Sequence, residues 1–162
     1  MAVHKLMDWE LEEEPYILMA IHAAIEPYRM AYLINKHLQV SFRRTEVDQD
    51  ILQPAYTANY PVYKHFDQEQ NAAFYLIPNK YWGISNEETA SQSLFNNAES
   101  SEVKTLLIKE YGTVDFLLKV EKDEDYFPVK KLLNTLGEIP QVISVYQLDT
   151  FKIKQPDYLI FE

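Results

Sequence analysis

Apolar positions along the chain gather in short runs, and two of these runs follow one plan. Tyr16 to Ala24 is almost continuously apolar, too short for a typical helix, and reads as a buried strand. Glu26-Pro27 comes next. Proline suits the first turn of a helix because its missing N–H would have no partner there. Met30, Leu33, Ile34 and Leu38 then recur at helical spacing, which predicts a helix ending near His37 or Leu38. Val40 to Val47 alternates loosely and reads as the returning strand. In the second half, Val114, Phe116, Leu118 and Val120 form one apolar face against a mixed one of Asp115, Leu117, Lys119 and Glu121. That period of two predicts a strand with one face buried. A helix then starts at Pro128, with Val129, Leu132, Leu133 and Leu136 on its apolar face. Asp123, Glu124 and Asp125 precede it, where acids favour a helix N-terminus. Gly137 and Pro140 stop it, and Val142 to Leu148 is the closing strand.

Between the two units, residues 55–66 and 72–82 predict a further strand pair joined by a polar turn over Asp67 to Asn71. Pro61 and Pro78 cannot donate to a ladder and belong at a sheet edge or at strand ends. Residues 85–102 are rich in Ser, Asn, Gln and Glu, and predict a long polar loop pinned by Leu94 and Phe95, with a short helical turn around 90–97. A strand from Lys104 to Leu107 is expected to make a hairpin with Val114 to Val120, and Gly112 is its candidate for a positive φ. Residues 1–14 form an acidic lead-in, and 156–162 an apolar tail that docks on the body or pairs at an edge. A strand–helix–strand crossover puts its two strands parallel in one sheet. Two such units around antiparallel strands define an α+β class. The expected layout is a ferredoxin-like-type layered sheet with both helices on one face, elaborated by the inserted antiparallel pair. The length of 162 residues fits a single domain over 1–162.

Composition narrows the function. The chain has no Cys, which excludes disulfides, thiol catalysis and thiolate metal sites. A net charge of −10, with basic clusters only at Arg43-Arg44 and Lys130-Lys131, opposes binding to nucleic acid or anionic lipid. No window approaches a membrane span, and no apolar leader follows Met1, so the expected location is cytoplasmic. His4, His22, His37 and His65 lack a metal-ligand spacing, although a His22–Glu26–His37 cluster is conceivable across the first unit. Phosphate-cradling glycine loops and nucleophile elbows are also missing from the sequence. The expectation is therefore no metal, no cofactor and no catalytic constellation.

One stretch carries a resemblance. Leu107 to Lys119 reads Leu-Ile-Lys-Glu-Tyr-Gly-Thr-Val-Asp-Phe-Leu-Leu-Lys. It resembles the bacterial family called IPExxxVDY, after its motif. Ile108, Glu110, Val114 and Asp115 match motif letters, while Lys109 stands where the family has Pro and Phe116 where it has Tyr. Tyr28 to His37 is similar to that family's first helix. The resemblance would cover most of the chain. It implies a small protein of Bacteroidetes-type bacteria, and no activity comes with it. Glu110 and Asp115 have two physical readings. They cap N–H groups around a turn or face water, or they form a paired-carboxylate site. The leading functional expectation is a non-enzymatic protein-interaction or homo-oligomerising domain, a homodimer joined through a sheet edge or the C-terminal tail. One alternative is a small-ligand, amino-acid-type regulatory domain similar to ACT domains. The other is an enzyme with Glu110 or Asp115 as general base.

Overall fold

The computed structural model describes residues 16–84, 102–122 and 127–161. The acidic lead-in, the polar segment holding Leu94 and Phe95, and the acids at 123–125 lie outside these residues. The strands are β1 (Tyr16–His22), β2 (Arg43–Arg44), β3 (Gln49–Leu52), β4 (Thr57–Tyr60), β5 (Tyr63–Asp67), β6 (Ala72–Pro78), β7 (Lys80–Ile84), β8 (Glu102–Leu106), β9 (Phe116–Lys122) and β10 (Ser144–Gln147). The described residues also hold two helices, α1 (Pro27–Leu38) and α2 (Val129–Gly137), and 3-10 turns at Lys109–Tyr111, Thr150–Lys152 and Pro156–Leu159. Six strands form one sheet in the order β10-β1-β9-β6-β5-β2, and β3-β4 and β7-β8 form two small pairs. Every neighbouring pair in the large sheet is antiparallel. Parity therefore makes β1 parallel to β2 and β9 parallel to β10, with three strands between the first pair and one between the second.

The central strands β1, β9 and β6 are buried on both faces. Met19 and Ile21 of β1, Phe74 and Leu76 of β6, and Phe116, Leu118 and Val120 of β9 pack with Met30, Leu33 and Ile34 of α1 and Leu136 of α2. The alternate positions, Leu18 and Ala20, Tyr75 and Ile77, and Leu117, face a second core. That core is completed by Ile51, Ala58 and Tyr60 from β3 and β4, by Leu107, Ile108 and Val114, and by Leu148, Ile153 and Leu159 near the C-terminus. A half-buried strand was expected at 114–120, whereas Phe116 to Val120 are all buried. The small strand pairs and the C-terminal segment cover the face that the helices do not.

α1 begins at Pro27, α2 begins one residue after Pro128, its N-cap, and both end where the periodicity stops. Gln39, at φ 56°, turns the chain out of α1. Asn35 then holds Phe42, accepting from its N–H at 2.7 Å and donating to its carbonyl at 3.1 Å. These contacts pull the chain inwards, so the strand expected over Val40 to Val47 shrinks to Arg43–Arg44 at the far edge. Residues 55–66 do not make one strand. They break at Pro61 into β4 and β5, which belong to different sheets. β5 and β6 do form a hairpin, with Asn71 at φ 49° and the Asp67 carboxylate accepting from Glu69 and Gln70 N–H at 3.0 and 3.3 Å. β8 pairs with β7 and not with β9. The link from β8 to β9 is a 3-10 turn in which Gly112 is right-handed at φ −63°, so the positive φ expected there is not used.

The tail docks on the second face through an unusual anchor. Lys119, at the middle of β9, is only 5% exposed. Its Nζ donates to the Leu159 carbonyl at 2.6 Å and lies 3.5 Å from the Glu121 carboxylate. The same ammonium sits 4.8 Å from the ring centre of Tyr16 and 5.4 Å from that of Phe161. Burial pulls its pKa below the ordinary lysine value, and Glu121 partly restores it.

Tyr60 makes the matching bond across the same layer. It is fully buried, and its hydroxyl donates to the Thr105 carbonyl at 3.0 Å, tying β4 to β8. Burial, with a weaker push from Tyr56 and Tyr81, holds its pKa well above the ordinary 10.0. Above pH ~10 the unfolded chain gives up a phenolic proton that the folded chain keeps, so this contribution to stability is lost as pH rises. Tyr60→Phe should cost about 1 kcal/mol at neutral pH through the lost hydrogen bond. It should also flatten the fall in stability that the wild type shows above pH ~10, measured by urea unfolding across that range.

Candidate functional site

The segment that carries the motif letters is organised by a residue outside it. Asn79 lies between β6 and β7 and is fully buried. Its backbone N–H donates to the Asp115 carbonyl at 2.9 Å, and its carbonyl accepts from Leu107 N–H at 2.8 Å. The side chain continues the pattern. Oδ1 accepts from Ile108 N–H at 2.8 Å, and Nδ2 donates to the carbonyls of Tyr111 at 2.9 Å and Val114 at 3.2 Å. One primary amide thus satisfies groups at both ends of the 3-10 turn and at Val114, just before β9. An asparagine side chain carries an acceptor and two donors, which is what this mixed set of groups needs.

The four motif residues divide into two kinds. Ile108 and Val114 are buried in the second core. Glu110 is exposed, and its Oε1 accepts from Lys154 N–H at 3.0 Å. Asp115 has both oxygens engaged: Oδ2 accepts from Ala23 N–H at 2.9 Å, and Oδ1 meets Lys80 Nζ at 2.7 Å. Each acid therefore caps a backbone N–H, but on a distant segment and not in its own turn. Glu110 fastens the C-terminal stretch, and Asp115 fastens the β1–α1 connection. Tyr111 adds a bond from its hydroxyl to the Asp149 carbonyl at 2.6 Å.

Reading the sequence alone missed Asn79, Lys80 and Lys119. Asn79 follows a proline between two apolar runs, as turn asparagines do, so nothing local marks it as buried. Lys80 is 35 residues from Asp115, and only the β6–β7 junction brings them together. Lys119 did carry a signal, because it interrupts the otherwise apolar run from Phe116 to Val120.

The histidines are placed separately. His22 shares a 2.8 Å hydrogen bond with the Tyr146 hydroxyl, and the two rings stack at 5.5 Å. The His22–Glu26–His37 cluster is not formed. Among the described residues, no group of three or more His, Asp or Glu side chains could hold a metal ion.

The two edges of the large sheet differ. β2 is two residues long and presents Arg43 and Arg44. β10 is longer, and no charged residue occurs from Ile139 to Leu148. Ile143 beside it is 76% exposed and Tyr146 within it 42%. Leu148 N–H donates to the Leu18 carbonyl at 2.8 Å. Antiparallel alternation from that bond turns the N–H and C=O of Val145 and Gln147 away from β1.

Comparison with known proteins finds no matching family model, curated protein or solved structure. The described residues place the chain by their own geometry, as a mixed α+β protein, and contain a six-stranded antiparallel sheet and two helices. Among the described residues, no helix is long and apolar enough to cross a membrane.

Asn79→Ala should destabilise the fold by on the order of 3 kcal/mol, because it strands a buried N–H and buried carbonyls together. Asn79→Asp, which keeps the acceptor but sets a carboxylate oxygen against the Tyr111 and Val114 carbonyls, should destabilise at least as much. Chemical denaturation of the three proteins checks the order.

Proposed function

We propose that this chain is a non-enzymatic domain that pairs with a second copy of itself along β10. The observation that carries the reading is the contrast between the two sheet edges. An exposed strand edge invites pairing unless charge, proline or shortness blocks it. β2 is both short and doubly cationic, whereas β10 offers open backbone groups in an uncharged stretch flanked by exposed Ile143. Two copies of a chain with net charge −10 repel over most of their surfaces, and an uncharged strip is where they can meet. A twofold axis across β10 would pair it antiparallel with itself and extend both sheets into one.

The commitment of Asp115 supports the non-enzymatic part. A general base needs a free oxygen facing its substrate, and both Asp115 oxygens are spent on Ala23 and Lys80. The layout is read as ferredoxin-like, supported by the order β10-β1-β9-β6 with α1 and α2 packed in one core. On that reading β6, not the short β2, returns from the first helix, and β5 and β2 elaborate the edge beyond it. Membership of the IPExxxVDY family is proposed on Ile108, Glu110, Val114 and Asp115, and a cytoplasmic location on the sequence argument already given.

Light scattering should find a dimer at high protein concentration. Ile143→Lys places a charge on the open edge without touching the core and should give a monomer of unchanged circular dichroism. Gln147→Pro should act in the same direction by removing an outward N–H. A wild type that stays strictly monomeric at high concentration would sink the proposal.

A further inference from the structure

Away from β10, the helices and the sheet enclose a cleft of about 350 Å³. Small-ligand sites run upwards from roughly 300 Å³, so the space suits a molecule about as large as one amino acid. Its walls include Ile34 of α1, Leu118 of β9, and the rings of Phe42, Phe74 and Phe127. Phe42 and Phe74 meet edge to face at 6.4 Å, and Phe74 lies 5.8 Å from Phe127. Offset and tilted arrangements of this kind are how aromatic rings pack, and a further ring can join them.

Three of the polar side chains on the walls, His37, His65 and Lys131, can donate. His65 of β5 accepts from Ser41 N–H through Nδ1 at 3.2 Å. In the neutral ring this bond places the proton on Nε2, so the remaining nitrogen is a donor. The ring stays fixed between Phe42 and Phe74, 5.7 Å from each. Lys131, from the first turn of α2, and His37, from the last turn of α1, line the same space. Their side chains make no hydrogen bond or ion pair among the described residues. Asp67 also lines the cleft, but two turn N–H groups already hold its Oδ1.

We infer that this cleft binds a small carboxylate with an aromatic body. The ring occupies the phenylalanine-lined floor, and the carboxylate takes the donors of His65 and Lys131. A free aromatic amino acid and the corresponding acid without an amino group share this chemistry. The inference does not depend on pairing through β10, since the cleft lies over β5, β6 and β9 and β10 is at the opposite end of the sheet.

Amide-detected NMR titration of the full chain tests it, with phenylalanine, 3-phenylpropionate and phenethylamine as probes. At least one of the two acids should shift the Ser41 and His65 signals saturably, and the pattern of the two assigns the natural source. Phenethylamine, which lacks the carboxylate, should not. Lys131→Gln should weaken the binding acid about tenfold, the effect expected of one charge-assisted hydrogen bond. His65→Phe, which keeps the ring and removes the donor, should weaken it in the same direction. Failure of both acids to shift these signals, equal binding of the amine, or an affinity unchanged by both substitutions would overturn the assignment.

Discussion

Asn79 stands where the chain leaves the six-stranded sheet at the end of β6 and enters the β7–β8 pair. The chain returns from β8 to the large sheet, at β9, through the turn that Asn79 holds. Both changes of sheet therefore pass through one buried amide. A backbone that leaves a sheet loses its ladder partners, and inside a core no water replaces them. Asn79 supplies those partners with its main chain and its side chain together. Because the site is buried, each bond is worth more than it would be at the surface, and each loss is correspondingly costly.

The junction matters because the second core rests on it. Leu107, Ile108 and Val114 reach that core only while the turn between them is closed. From there the constraint passes to the C-terminal segment: Glu110 holds Lys154, Tyr111 holds Asp149, and Lys119 holds Leu159. Lys119 shows how a charge can be kept inside. Its ammonium has a carbonyl, a carboxylate and aromatic faces around it, and so avoids the full cost of an unpaired buried ion. The motif residues belong to this structural network. Their acids tie distant backbone segments together, which explains why buried Ile108 and Val114 stand beside polar Glu110 and Asp115 in one short stretch.

Much of the helix-side architecture was legible in the sequence. β1, α1, β9, α2 and β10 each follow from local periodicity, and Pro27 and Pro128 mark the helix starts because proline's effect on the backbone is local. Pairing was less legible. β8 had a plausible neighbour in β9, the next strand along the chain, and the structure pairs it with β7 instead. Nothing within a strand states which edge it will meet. The double burial of the central strands was visible in part, since Leu117 and the unbroken run at Tyr16 to Ala24 have no reason to be apolar on a solvated face. Asn79 was not visible as a core residue, because a buried asparagine and a surface turn asparagine look alike until their partners are known. The aromatic cleft was hidden for the same reason, as His65, Lys131 and the three phenylalanines are far apart in sequence.

Amide hydrogen exchange at Ile108 tests the junction most directly. Its N–H is bonded to the buried Asn79 Oδ1. If Asn79 couples the two sheets, this amide opens only with the whole protein, with the same free energy and denaturant dependence as the central amides of β9. Exchange of Ile108 through a low-energy local opening, while β9 stays protected, would contradict that coupling.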